Sequence, residues 1–97
     1  MAKLRVVNPQ ANTIISPVSM APRVADLAGK TIGLYWNMKA GGDLALEHTA
    51  NLLGQRFPGT NFKHYVGTVG AMLCHVTGDD ADRIAAECDA VVGTTSD

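Results

Sequence analysis

The residues best suited to chemistry lie in one glycine-bearing loop and in one short polar segment. The loop covers residues 37–43 (Asn-Met-Lys-Ala-Gly-Gly-Asp), and the polar segment covers 94–97 (Thr-Thr-Ser-Asp). A Gly-Gly step before a helix exposes backbone N–H groups at the positive helix end, which suits a carboxylate or a phosphate. Lys39 would add a positive charge. The pattern predicts an anion-binding loop, and the alternative is a plain turn with a surface lysine.

The polar residues that surround this loop complete the predicted substrate site. Trp36 ends an apolar run and is followed at once by polar residues, so we expect its ring to form a pocket wall rather than only core. The candidate substrate-binding residues are Trp36, Asn37, Gly41, Gly42, Thr94, Thr95 and Ser96.

The histidines and cysteines do not add a second recognisable site. His48, His64 and His75 lack the helical i, i+4 spacing of a metal pair. Cys74 and Cys88 lack CxxC spacing, and neighbouring side chains such as Cys74 and His75 usually point apart. GxGxxG and Walker A patterns are also missing. We therefore predict no metal site and no nucleotide cofactor, and we expect Cys88 to be an inert core thiol.

The elements that must position the loop are a strand before it and a helix after it. Residues 30–36 form a β-rich apolar run, typical of a strand that is covered on both faces. Residues 44–57 carry an apolar stripe at helical spacing, and Asp43 is the predicted N-cap. The stripe consists of Leu46, Ala50, Leu53 and Phe57.

The second half of the chain repeats this order. Residues 61–66 alternate as a more polar edge strand, and 67–76 are ambiguous. Thr77 and Asp80 have capping-box spacing and predict the start of a second helix. Residues 89–93 are typical of a buried strand. The apolar stripe of the second helix consists of Ala81, Ile84, Ala85 and Cys88.

This order predicts an α/β fold, a three-layer Rossmann-like half domain. A βαβαβ chain forms a parallel sheet with right-handed crossovers, here with strand order 2-1-3. That order places the loop 37–43 beside residues 94–97 at the carboxyl ends of two neighbouring strands, where α/β folds bind ligands. We assign 1–29 to an extended arm, with one helical turn at 24–29, and 30–97 to the half domain. Its open edges predict a partner chain that completes the sheet.

Composition excludes several classes of protein. The 97 residues carry a formal net charge of −1 and are 46% hydrophobic, as expected for a small globular domain. The mixed charges argue against nucleic acid as a partner. No apolar run approaches the roughly 20 residues of a membrane-spanning helix, and the N-terminus lacks a signal-peptide core. We therefore predict a cytoplasmic protein without membrane or nucleic-acid partners.

Three segments of the chain resemble the UGSC family of (seleno)proteins. Residues 21–34 (Ala-Pro-Arg-Val-Ala-Asp-Leu-Ala-Gly-Lys-Thr-Ile-Gly-Leu) are similar to its Ala-Pro-Arg-Leu segment and Leu-x-Gly-Lys-x-Ile-Gly-Leu strand. Residues 37–39 match its Asn-x-Lys loop, and 89–93 (Asp-Ala-Val-Val-Gly) match the strand before its namesake motif. The resemblance covers roughly residues 20–44 and 88–97. The order and spacing of these segments along the chain are more specific than any one motif.

The resemblance implies a thiol or selenol close to Asp97. In the family, a cysteine or selenocysteine followed by Gly-Ser-Cys comes next, whereas this sequence stops at Asp97. We expect the motif on a second chain, which would arise by cleavage, from a separate gene or through a selenocysteine codon read as a stop. The motif also resembles the selenocysteine-Gly-Thr-Cys site of glycine reductase component B. By that analogy, a partner-borne pyruvoyl group is the alternative to a partner-borne Cys or Sec.

These observations favour the small subunit of a heteromeric thiol-dependent enzyme that acts on a small polar or anionic molecule. The catalytic candidates of this chain are Lys39 and Asp97, and the nucleophile would come from the second subunit. Hydrolysis or addition through a thioester-like intermediate and a two-cysteine redox step both fit. Two alternatives stay open: a non-catalytic anion-binding module and an assembly subunit.

Overall fold

The three-stranded parallel sheet predicted by the sequence is present in the computed structural model, which describes residues 2–94. Its strand order, β2-β1-β3, confirms the predicted order. The helices and strands along the chain are β1 (Thr31–Trp36), α1 (Gly42–Arg56), β2 (Asn61–Val66), α2 (Gly78–Glu87) and β3 (Ala90–Thr94).

The strands are in register over their whole length. At the amino end, the Thr31 N–H donates to the Asp89 carboxylate (2.9 Å) and the Asp89 N–H donates back to the Thr31 carbonyl (2.8 Å). At the carboxyl end, Trp36 pairs with both Val66 and Thr94. Strands β1 and β3 therefore end at the same level, side by side.

The core lies between the sheet and α1. Ile32, Leu34 and Leu46 are each at most 1% exposed. Because strand side chains alternate between faces, Ile32 and Leu34 point toward α1. The half-buried residues packed around them are Leu27, Trp36, Ala50, Leu53, Phe62, Ala90 and Val92. Their contacts confirm the predicted inner positions Leu46, Ala50 and Leu53 of the helical stripe.

Helix α1 begins two residues before the predicted start. Its N-cap is Gly41, with φ 90° and no side-chain capping bond, so the prediction of Asp43 as N-cap was wrong. The physical reason is a backbone turn in which the Gly42 N–H donates to the Lys39 carbonyl (3.2 Å). Asp43 lies in the first turn, where its carboxylate stabilises the positive helix end.

Helix α2 covers the opposite face of the sheet and starts at the predicted capping box. The Asp80 N–H donates to the Thr77 hydroxyl (3.1 Å), and the Thr77 N–H donates to the Asp80 carboxylate (3.1 Å). Asp80 also accepts from the N–H and hydroxyl of Thr68 (3.2 and 2.8 Å), and these bonds hold its pKa well below the usual range. The cap therefore also fixes the loop that follows β2.

The chain before β1 is extended. Residues 2–30 contain no helix or strand, and nearly all are exposed. The helical turn predicted at 24–29 was wrong: the Ala28 N–H donates to the Asp26 carboxylate, and the Lys30 N–H donates to the Leu27 carbonyl. Gly29, with φ 72°, completes this turn in a conformation that glycine adopts without strain.

Candidate functional site

Three of the predicted site residues meet at the carboxyl end of the sheet. Trp36 ends β1, Thr94 is its partner at the end of β3, and Gly42 opens α1 above them. The Thr94 hydroxyl donates to the Gly42 carbonyl (3.2 Å). The crossover from β1 runs to β2 on one side, whereas β3 lies on the other side of β1. The strand order therefore reverses between β1 and β3, and such a topological switch point is where α/β sheets bind ligands.

The two glycines of the loop serve different physical needs. A Cβ at Gly42 would lie 2.9 Å from both the Thr94 hydroxyl oxygen and the Trp36 ring carbon Cδ1, so only glycine leaves space for this contact. A Cβ at Gly41 would meet nothing within 4 Å, but its φ of 90° is a left-handed conformation that strains other residues. Both positions of the Gly-Gly step therefore require glycine for structural reasons, whether or not a ligand binds there.

The loop after β1 is closed by its own hydrogen bonds. The Lys39 carbonyl accepts from the Trp36 indole N–H (2.7 Å) and from the Gly42 N–H. The Asn37 side-chain oxygen accepts from the Lys39 N–H (3.2 Å), and Met38 between them has a φ of 71°. This network presets the loop, which reduces the ordering cost of binding a ligand.

The structure changes the expected list of anion donors. The Gly42 N–H is engaged with the Lys39 carbonyl, so it does not serve as the exposed donor that the Gly-Gly pattern predicts. The positive end of the 15-residue helix α1 still faces the loop, and Asp43 in the first turn adds a negative charge there. The site therefore combines charges of both signs and suits a polar ligand as well as a simple anion.

The segment 67–76 is hydrogen-bonded to the loop 37–43. The Cys74 N–H donates to the Asn37 carbonyl (3.1 Å), and the Tyr35 hydroxyl donates to the Cys74 carbonyl (2.7 Å). Burial raises the pKa of Tyr35, with smaller contributions from Cys74 and Asp80. The Cys74 thiol lies 3.2 Å from the Met38 sulfur and is buried. Its contacts are with Met38 and the Gly70 carbonyl, not with His75.

A cavity of about 260 Å³ adjoins the site on the α1 side. Trp36 forms part of its wall, and Asp43, Glu47 and His64 contribute polar groups. Glu47 and His64 are exposed, and neither is among the site residues predicted from the sequence. The alternation of β2 places His64 on the same face as Phe62, which packs in the α1 core, and this alternation is the signal that could have pointed to the cavity.

The remaining predicted residues fall into two groups. Thr95, Ser96 and Asp97 lie outside the described residues. Lys39 lies in the loop, half-buried, with its backbone bonded as above. Among residues 2–94, no group of three or more His, Cys, Asp or Glu side chains could hold a metal ion.

Glu87 is an exposed residue of α2 that is paired with β2. Its carboxylate accepts from the Lys63 ammonium (2.8 Å) and from the Tyr65 hydroxyl, which lower its pKa. The same two bonds join α2 to β2. Cys88 lies 3.2 Å from the Tyr65 hydroxyl and is half-buried, at the end of α2.

Comparison with known protein families gives one match. The model of the UGSC family matches residues 5–97, nearly the whole chain, so the protein belongs to the UGSC family. The match includes the segments 5–19 and 45–87, which the sequence resemblance did not cover. Comparisons with curated proteins and with solved structures found no match. In the part of the chain that the structure describes, no helix is both long and apolar enough to span a bilayer.

Proposed function

We propose that this UGSC-family protein is the small subunit of a heteromeric thiol-dependent enzyme that acts on a small polar or anionic molecule. The nucleophile would be a cysteine or selenocysteine in a Cys-Gly-Ser-Cys-like motif, located next to Asp97 on a second subunit. Lys39 and Asp97 are the proposed catalytic residues of this chain. The loop 37–43 would hold the substrate.

The observation that supports this proposal is the contact of Trp36, Gly42 and Thr94 at the switch point. A reactive group just beyond β3 would stand beside the preset loop after β1. Strand ends of this kind are where α/β folds place chemistry. A polar group of the substrate would then lie between the loop and the thiol.

The chemistry follows from the charges at this point. A thiolate near the positive end of α1 and near Lys39 would have a lowered pKa and would be nucleophilic at neutral pH. First-turn N–H groups of α1 other than that of Gly42 would also stabilise an oxyanion that forms when a thiolate attacks a carbonyl carbon. Nucleophilic thiol catalysis is therefore the reaction type that we favour over a redox step between two cysteines.

The test is thiol labelling of the assembled protein, purified from the cells that make it. Native mass spectrometry should show a second polypeptide with a Cys-Gly-Ser-Cys-like motif. Iodoacetamide should alkylate that motif much faster than Cys74, which is only 8% exposed. If this chain is a stable monomer with no such polypeptide, the proposal is wrong.

Two variants test whether residues of this chain affect the reactivity of the thiol. Lys39→Met removes a neighbouring positive charge and should slow alkylation at neutral pH by up to about tenfold, as a pKa shift of about one unit would. Thr94→Val should also slow it, because the Gly42 contact is lost. Lys3→Met in the exposed arm is the matched control. Normal assembly with unchanged alkylation in both variants would instead favour the assembly subunit.

A further inference from the structure

The two edges of the sheet differ in how they are protected. On β2, the Lys63–Glu87 ion pair (2.8 Å) and the Arg83 guanidinium, 5.5 Å from the Tyr65 ring centre, place charges at the edge. Charged side chains are a common protection of edge strands. Strand β3 has the sequence Ala-Val-Val-Gly-Thr without a charge, and within residues 2–94 it pairs only with β1. The β3 edge is thus the one suited to a further strand.

An apolar groove runs beside the β3 edge on the α2 face. Its volume is about 320 Å³. Val91 is 49% exposed and Val76 52% exposed at its rim. The Tyr35 hydroxyl, the one polar side-chain group in its lining, is already bonded to the Cys74 carbonyl. The lining residues are Tyr35, Val76, Ala81, Ile84, Ala85, Val91 and Gly93.

The handedness of the crossovers shows which kind of element fits the groove. The crossover from β2 to β3 passes across β1 and places α2 on the Tyr35 face. If the chain continued from β3 to a strand on its free edge, a right-handed crossover would run in the same direction, and its helix would lie on the same face, next to α2. A segment of a second subunit that completes the fold would take the same place. The groove occupies that position. A crossover helix packs on a sheet through an apolar stripe, which matches the apolar lining.

We propose that this groove is the docking site for the thiol-bearing segment. An amphipathic helix that follows the Cys-Gly-Ser-Cys-like motif packs between α2 and β3, and the strand after it pairs in parallel with β3. This inference rests on the proposed function, since it identifies the segment that brings the thiol to Thr94. The same docking fixes the position of the thiol at the carboxyl end of the sheet, because the helix starts there, next to the end of β3.

Photo-crosslinking in the assembled protein tests this docking directly. A benzoylphenylalanine at position 91 faces the groove. One at position 52 is the control, because Leu52 lies on the opposite side of the sheet and is similarly exposed, at 53% against 49% for Val91. Irradiation followed by peptide sequencing should identify, from position 91 only, a peptide within about two helical turns after the motif. Crosslinks from position 91 to a second copy of this chain or to a protein without the motif would overturn the inference. So would the absence of any crosslink.

A charge in the groove gives a second measurement. Val91→Asp should reduce recovery of the motif-bearing segment with this chain at least tenfold, whereas Leu52→Asp should leave recovery unchanged. Equal recovery with both variants would contradict the docking site. If position 91 crosslinks elsewhere while Thr94→Val still slows thiol alkylation, the docking inference fails and the proposed function stands. If no motif-bearing polypeptide is present, the proposed function itself fails.

Discussion

The two faces of the sheet differ in how completely this chain covers them. On the α1 face, Leu34 and Leu46 are at most 1% exposed. On the α2 face, Ile84 is buried, but Val91 is half exposed and a groove of about 320 Å³ remains beside β3. The difference shows that α1 covers its face of the sheet. Within residues 2–94, α2 covers the other face over β1 and β2 and leaves β3 partly exposed. Stability should therefore depend on the first face, and assembly on the second.

The largest expected effect is on the α1 face. Leu34→Ala removes a fully buried side chain and should lower the free energy of unfolding by about 2–5 kcal/mol. Val91→Ala, at the half-exposed groove, should change it by no more than about 0.5 kcal/mol in the isolated chain. Urea titration followed by circular dichroism measures both. Equal losses would mean that the groove is already a packed core.

The next effect compares two glycines near the carboxyl end of the sheet, Gly42 at the start of α1 and Gly93 in β3. Gly42→Ala places a methyl group 2.9 Å from Trp36 and Thr94 and should cost about 1–3 kcal/mol, with a shift in Trp36 fluorescence. A Cβ at Gly93 meets nothing within 4 Å, so Gly93→Ala should be neutral or slightly stabilising in the isolated chain. An unchanged emission spectrum for Gly42→Ala would show that the Trp36 contact is not tight.

A smaller effect separates the two helix starts. Helix α2 is capped by the Thr77 side chain, whereas α1 begins at Gly41 without a side-chain cap. Thr77→Ala should cost about 1 kcal/mol, because the first-turn N–H of Asp80 loses its acceptor. Thr77→Ser keeps the hydroxyl and is the control. A loss of the same size in both variants would point to the methyl group rather than to the cap.

The smallest effect is the pH dependence of the β2–α2 contact. Bonds from Lys63 and Tyr65 lower the pKa of Glu87 in the folded state. Its stabilisation is therefore full above the ordinary carboxyl value of about 4.3 and is lost as the pH falls through the lower folded value. Glu87→Gln should flatten this part of the stability profile, and only slightly, because both side chains are more than one-third exposed.

Lys63→Met checks the cause of that slope. Without the ammonium group, the main reason for the lowered pKa of Glu87 is gone, so the remaining slope should be smaller than in the unaltered chain. If Lys63→Met leaves the profile unchanged while Glu87→Gln flattens it, the Tyr65 hydroxyl is the dominant partner.

The order of elements was predictable because it depends on side-chain periodicity. The strand order follows from polarity, since the more polar β2 suits an edge and the apolar β1 suits the centre. That order alone predicted that Trp36 and Thr94 would be neighbours. The start of α1 was not predictable, because a backbone turn to the Lys39 carbonyl, invisible in residue types, takes precedence over the capping preference of Asp43.

The site was predictable only where strand order decides it. The closure of Gly42 against Trp36 depends on distances of a few ångströms that no sequence spacing encodes. The cavity with Glu47 and His64 requires knowing how β2 is rotated against α1. The pairing of Glu87 was not predictable, because its partner Lys63 is distant in sequence and meets it only after β2 and α2 pack together.

The extended arm has a consequence for the life of the protein in a cell. Its Leu4, Val7 and Ile14 side chains are each at least 88% exposed, on a backbone without helix or strand. Exposed unstructured backbone is readily cut by proteases, and cells remove unfolded chain through chaperones and proteases. Copies whose arm stays uncovered should therefore be degraded faster than copies whose arm is covered.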